Sequence, residues 1–461
     1  MPWHSKMRAP CGGNQPGGII DGLHAHCAVM TGSDFQGQPQ SRRRFLHTTA
    51  GAAAALAWPA RVHALAARLD SARSEQEYWS LVRSAFLIPE RRIYLNVGTL
   101  GVQPRPVIDA VVEHTRRVAE SFPPAIDWDG LKTRLGTIVG ADADGFVFPR
   151  NTTEAMNFVA QGLDFDADDE ILTTNHEHIG GLCPWQVVAA RKRLRLRQLA
   201  IAPDASDDAI VDTFVNALGP RTRVLSISHL TFTTGRIMPV ARLAGIARER
   251  GIIIVADGAH PPGLMSVEVT GLGVDFYASS PHKWLLAAQG TGFLWMKPQW
   301  RTRLWPTLAS GGWDDLTLGA HRFNHLGTLD ESRLAALDAA LRFHETLEPA
   351  RVYDRIRTLR RRLFDGLAAV PDLTFITHID DARSAGMISF AIEGIESLAL
   401  QTALGRIASP DGEWSVRTRV IGEYDYNWMR LSPHIYNTFD DIDRAVHLVT
   451  DAVAALRRTG S

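Results

Sequence analysis

The run Ile252-Ile253-Ile254-Val255-Ala256 carries no polar side chain and stops at Asp257. β-Branched residues favour extended chain, and a strand that is apolar at every position must be covered on both faces. This segment therefore predicts an interior strand of a sheet with helices packed on either side. The neighbouring sequence repeats the pattern. Short apolar strands are predicted at 146–148, 171–173, 224–227, 276–278 and 292–295. Helices with apolar residues at helical spacing are predicted at 106–122, from Thr152 onward, at 184–194 and at 239–250. Buried strands alternating with helices imply a doubly covered, largely parallel sheet.

After Glu331 the character changes. Two long helices, at 331–347 and 351–370, lead to strands at 373–376 and 387–390 and a last helix at 440–456. The expected organisation is α/β. A large domain with a parallel or mixed sheet spans 106–330, and a smaller α+β domain spans 331–461, joined by the segment 67–105. With 461 residues, 45% of them hydrophobic, the chain is long enough for both cores. A formal net charge of -1 provides no global field to attract nucleic acid or an acidic membrane. Only three cysteines are present, Cys11, Cys27 and Cys183, which excludes a disulfide framework and a cysteine-rich metal site.

Residues 1–66 read as a leader and not as fold. Ser41-Arg42-Arg43-Arg44-Phe45-Leu46 precedes an alanine-rich run that ends near Ala64-Leu65-Ala66, a small-residue cleavage pattern. The segment looks like a twin-arginine export signal. It is shorter than the roughly 20 apolar residues a bilayer span requires. The signal implies an encounter with export machinery and a periplasmic or secreted location, with Met30 as a candidate start.

The chemistry-bearing residues stand at strand ends. Asp257 closes a predicted parallel strand, where open α/β sheets bind ligands. Ser279-Ser280-Pro281-His282-Lys283 follows the next strand, and Lys283 lies 26 residues after Asp257. Taken singly, Asp257 is a turn residue, Lys283 a surface lysine and Thr152-Thr153-Glu154 a helix cap. The basic run from Arg191 to Arg197 reads as a helix end entering an edge strand with one solvated face. His176 and His178 lack a third ligand in sequence, so no metal site is expected.

Taken in order, these segments resemble the class V aminotransferase family over about residues 93–456. That family has the fold type I architecture of pyridoxal 5'-phosphate (PLP) enzymes. The resemblance implies PLP as cofactor, Lys283 as its Schiff-base lysine and Asp257 as partner of the ring nitrogen. Asn151-Thr152-Thr153-Glu154 matches the phosphate-binding helix start, where backbone N–H groups suit a dianion. Thr152, Thr153, Ser280 and His282 would hold the phosphate, and His260 the phenolic side of the ring. Glu177-His178 before Pro184-Trp185 matches the segment whose histidine stacks on the ring. Gly327-Thr328 matches a pair that reaches the phosphate of a partner subunit, which implies a homodimer. Val416-Arg417-Thr418 matches the strand whose arginine binds a substrate carboxylate. Asn96, in Tyr94-Leu95-Asn96-Val97-Gly98-Thr99, is assigned to the substrate beside Arg417.

Two departures narrow the reading. The loop after Arg417 has no cysteine where desulfurases carry their nucleophile, and Phe232 stands where they carry an asparagine. The spelling of 229–235 and 94–101 is closer to the isopenicillin-N epimerase-like branch. The expected function is an exported PLP enzyme acting on the amino group or Cα of a free or peptide-borne amino acid, by transamination or epimerisation. A C–S or C–C lyase and a non-catalytic PLP-binding protein are the alternatives.

Overall fold

The computed structural model describes residues 57–121 and 126–459. The arginine motif at 42–44 lies outside the described residues, as do Cys11 and Cys27. The cleavage pattern Ala64-Leu65-Ala66 falls inside a helix, Ala57–Asp70, that crosses the expected leader boundary at 66. Val62, Leu65 and Leu69 on that helix are buried, and Arg61 pairs with Asp109. Ordered packing thus begins upstream of that boundary.

The fourteen strands of the described residues form three sheets. The largest has seven strands: β2 (Phe146–Val147), β3 (Glu170–Thr174), β4 (Arg195–Leu199), β5 (Thr222–Ser228), β6 (Ile253–Asp257), β7 (Phe276–Ser279) and β8 (Phe293–Met296). Their order is β2-β8-β7-β6-β5-β3-β4. All run parallel except β8, which is antiparallel to both neighbours. Fully buried strands carry no direction in their pattern, so the reversal of β8 was not readable. Alternate residues of β6 serve opposite faces. Ile254 and Ala256 join one core cluster, Ile253 and Val255 another. Strand β4 is the edge, as the basic run anticipates, and its residues are only half-buried or exposed.

The expected helices are present within a few residues, with one instructive difference, whereas Glu75–Arg83, Trp128–Val139, Asp207–Ala217 and Ser397–Gly405 are helices not anticipated. The helix placed at 184–194 runs Ile179–Lys192, with Pro184 inside it. Its first turn contains Gly180-Gly181, poor helix formers, so propensity hides the true start. His178 caps it, its Nδ1 accepting from the Gly180 N–H at 3.0 Å.

The remaining strands build the second part. Strand β1 (Arg92–Tyr94) runs parallel to β12 (Gly412–Arg417), which pairs with β11 (Ile407–Ser409). A four-stranded antiparallel sheet has the order β13 (Arg419–Ile421), β14 (Trp428–Leu431), β10 (Ile388–Ile392), β9 (Leu373–Phe375). Helices Pro349–Leu367 and Phe439–Thr459 contribute Leu359, Leu363, Leu448 and Val449 to the same core as Ile388 and Leu431.

Candidate active site

Register sets the site. Ser228 at the end of β5 is opposite Asp257 at the end of β6, and Asp257 is opposite Ala278, next to the end of β7. Three neighbouring strands therefore finish along one edge, and a cavity of about 340 Å³ opens there. Asp257, Lys283, His178, His260, Ser280, His282, Thr152 and Thr153 all line it. Asn96, Arg417, Gly327 and Thr328 do not.

One wall is the start of helix Thr152–Gly162. Asn151 caps it, accepting from the Glu154 N–H at 2.9 Å. The Thr152 N–H donates to Ser280 Oγ at 3.0 Å, and the Thr152 and Ser280 hydroxyls stand 2.7 Å apart. Helix N–H groups and clustered hydroxyls suit a phosphate dianion. His282 donates from Nδ1 to the Thr291 carbonyl at 3.0 Å. Burial, with Lys283 beside it, pushes the ring down to about 4, so His282 faces the cradle neutral until an anion recruits a proton.

Lys283 is half-buried and its Nζ lies 3.3 Å from His260 Nε2. The indole N–H of Trp284 donates to His260 Nδ1 at 3.1 Å. Indole N–H is only a donor, so the neutral imidazole carries its proton on Nε2. Nε2 can then donate to Lys283 only if the lysine is a free amine. Electrostatics ease the loss of that proton. Burial, reinforced by Arg430 and Arg419, outweighs Asp257 and lowers Lys283 to about 8. Burial raises Asp257, opposed by Lys283 and by the Ala259 N–H, which donates to Oδ1 at 3.0 Å. A pyridinium nitrogen beside Asp257 would restore its charge.

Two glycines hold this arrangement together. A Cβ at Gly101 would sit 2.1 Å from the Lys283 carbonyl oxygen, and one at Gly181 would sit 2.8 Å from Asp257 Oδ2. Side chains at these positions would displace the lysine loop and crowd the carboxylate. His178, at the same helix start as Gly181, has an exposed surface at the cavity; desolvation there, with Lys283, Arg430 and Arg419 nearby, lowers it to about 4, so it offers a neutral ring face. Glu177, not assigned a role from sequence, is buried and accepts from Thr174 and Ser228 at 2.7 and 2.6 Å. Burial pushes it up to about 7.

The substrate end requires a correction. Arg417 is exposed and off the cavity. It ends β12, buried Thr418 carries the chain across, and Arg419 opens β13 facing the cavity. The buried arginine of the site is Arg430 on β14, which sequence reasoning missed. Its Nη1 donates to the Phe232 carbonyl at 2.7 Å and its Nη2 to Thr99 Oγ1 at 3.2 Å, while Nε has no partner. A charge set between Met429 and Leu431 was the available signal. Asn96 is also corrected. It is 2% exposed, and its Oδ1 accepts from Thr99 Oγ1 at 2.9 Å. It positions Thr99, which holds Arg430. Gly327 and Thr328 are exposed at the surface, away from this chain's cavity. Cys183 is a free, part-exposed residue of helix Ile179–Lys192 and does not line the cavity.

The donor set fits PLP: a lysine that gives up its proton readily, a buried carboxylate in the same wall, a flat neutral ring wall and an anion cradle meet in one cavity. Bound there, the cofactor supplies an aldehyde that captures amines and a ring that accepts the electrons left when a Cα proton departs. Fold and site together define a PLP-dependent enzyme of fold type I. Residues 128–445 match the family described as Aminotransferase class-V. The isopenicillin N epimerase of Streptomyces clavuligerus is 31% identical over 82% of this chain and 98% of its own. A probable cysteine desulfurase of Mycobacterium leprae is 28% identical over 77% of this chain and 90% of its own. Among solved structures, a lysine-to-alanine mutant of C-DES with glycine covalently linked to its PLP cofactor has a similar fold. Its TM-score is 0.71 at 24% identity, over 80% of this chain and 99% of that one. The protein belongs to the class V aminotransferase family.

The Lys283 environment has a measurable consequence. Only the neutral amine attacks a carbonyl. Capture of free PLP by the apoprotein should therefore accelerate about tenfold per pH unit up to about 8 and flatten above it. An ordinary lysine would keep accelerating well beyond pH 9, so stopped-flow absorbance across pH 6–10 separates the two.

Proposed function

We propose that this enzyme removes and returns the Cα proton of a free or peptide-borne amino acid, as an epimerase or transaminase. The observation that carries the reading is the convergence on one cavity of the Lys283 amine, the Asp257 carboxylate and the Arg430 fork, with no thiol on its wall. Arg430 offers two-point binding to the α-carboxylate. That contact leaves Lys283, the base, to hold the proton. The relative named isopenicillin N epimerase supports the Cα reading. Desulfurase relatives raise sulfur transfer as a competing chemistry, but that needs a thiolate that Cys183, off the cavity, does not provide; a C–S lyase needs no such thiol and is the second reading, separated by its products.

The test is to incubate the PLP-loaded protein with amino acids and short peptides in D2O. Deuterium should enter at Cα, and cysteine should release sulfide no faster than free PLP does. Rapid sulfide release lost in Cys183→Ser would favour a desulfurase instead, and rapid release that survives it a C–S lyase. Two further parts of the proposal rest on sequence. Gly327 and Thr328 would complete the phosphate site of a second copy, making the enzyme a homodimer. The arginine motif at 42–44 would direct export, placing the enzyme in the periplasm or outside the cell.

A further inference from the structure

Arg419 on β13 and Arg430 on β14 are direct cross-strand partners, and both line the cavity. Opposed residues on one ladder bring their Cβ atoms within about 5 Å, and like charges so placed repel. Burial does not relieve the pair: Arg430 is 2% exposed and Arg419 only part-exposed. A sheet that keeps two guanidinium groups face to face at a cavity needs anions there.

The charges already present do not supply enough. Arg430 spends its Nη groups on the Phe232 carbonyl and on Thr99, both neutral, and its Nε is unpartnered. Arg419 has one acidic partner, Glu423, four residues along. Asp257 would be taken up by the ring nitrogen of a bound cofactor, and the phosphate cradle lies at the Thr152 helix start. In the reading proposed above, the substrate α-carboxylate takes Arg430. Arg419 is then a second cation for which that carboxylate is not available.

We propose that Arg419 is a specificity residue that selects substrates bearing a second carboxylate, with Glu423 as the internal competitor that such a carboxylate displaces. The geometry of the Glu423 turn supports this role. Tyr424 and Asp425 are consecutive non-glycine residues with φ of 61° each, a backbone that only a firmly held turn retains. The Tyr424 hydroxyl fastens the turn by donating to the Glu177 carbonyl at 2.9 Å. Glu423 is therefore kept within reach of Arg419, and its Oε2 has no partner. Such an i,i+4 pair, part-open to solvent, is weak. A dicarboxylate anchored through Arg430 competes with it effectively, whereas a monocarboxylate does not engage it.

This inference rests on the Cα-proton reading, and its test separates the two. The PLP-loaded enzyme is titrated by calorimetry with butyrate, glutarate and suberate, none of which carries an amine to react. Glutarate or suberate should bind about tenfold more tightly than butyrate, the worth of one charge-assisted contact. Preference for glutarate marks a short acidic side chain, and preference for suberate a carboxylate carried further away, as on a peptide. Arg419→Gln should erase the preference, costing the dicarboxylates about tenfold more than butyrate, and Glu423→Gln should enlarge it. Equal binding of all three acids to the wild-type enzyme, or a preference that survives Arg419→Gln, overturns the proposal. Visible absorbance of the lysine-bound cofactor is recorded on each preparation. If it is present and Cα deuterium exchange proceeds while the three acids bind equally, only the specificity claim fails. If exchange is absent, the parent reading fails.

Discussion

Lys283→Ala is expected to lower turnover by roughly 10³-fold or more, because in the proposed function one group would be both the covalent anchor and the base. The fold should survive. The native side chain is half-buried, and its one side-chain partner is His260 at 3.3 Å. Burial lowers its proton affinity to about 8, so near neutrality the folded state carries a cation it would rather shed. A depressed lysine in the folded state means that stability rises as pH climbs from about 8 toward the ordinary lysine range. Replacing it by alanine removes that dependence. The thermal midpoint of the apoprotein should be unchanged or higher at pH 7, while visible absorbance and turnover disappear. A variant that kept turnover within tenfold of wild type would remove Lys283 from the mechanism.

Arg430→Gln is expected to cost roughly 10²–10³-fold in kcat/KM, the scale of deleting one member of a buried charge contact with a ligand. The loss should appear mainly in KM. Here too stability should move the other way. Burial, with Arg419 alongside, lowers Arg430 to about 9, and its only assisting acid is Glu423. A buried cation without an ion-pair partner is a cost to the fold that ligand binding offsets. Steady-state kinetics and a thermal melt on the same variant check both halves. Lost stability with unchanged KM would make Arg430 a structural residue. The parallel variant Arg417→Gln should leave kcat/KM within about twofold, as for an exposed residue outside the cavity.

The contrast between those two arginines shows what the sequence could and could not reveal. Asp257 and Lys283 were legible because each follows an apolar run whose burial is dictated by composition. Strand ends fix where such residues emerge. The phosphate-side hydroxyls were legible because a helix start advertises itself through Asn151 and Thr152. The arginine that lines the cavity was not. Whether Arg417 or Arg419 faces the cavity depends on the crossing at Thr418, where one strand ends and a strand of another sheet begins. That is a property of packing, not of local pattern. Arg430 is brought to Thr99 by a hydrogen bond spanning 331 residues, a separation that no periodicity encodes. The start of helix Ile179–Lys192 was obscured for a related reason. Gly180 and Gly181 are poor helix formers, and Gly181 is small because Asp257 lies against it.

The central claim is that the Lys283 amine carries the cofactor beside Asp257. The most direct measurement is borohydride reduction of the PLP-loaded protein, followed by proteolysis and mass spectrometry of the labelled peptide. The account predicts a single phosphopyridoxyl adduct on Lys283, within the Ser279–Trp284 sequence, with the visible absorbance lost in step. A stoichiometric adduct on another lysine, with Lys283 unmodified, would contradict it.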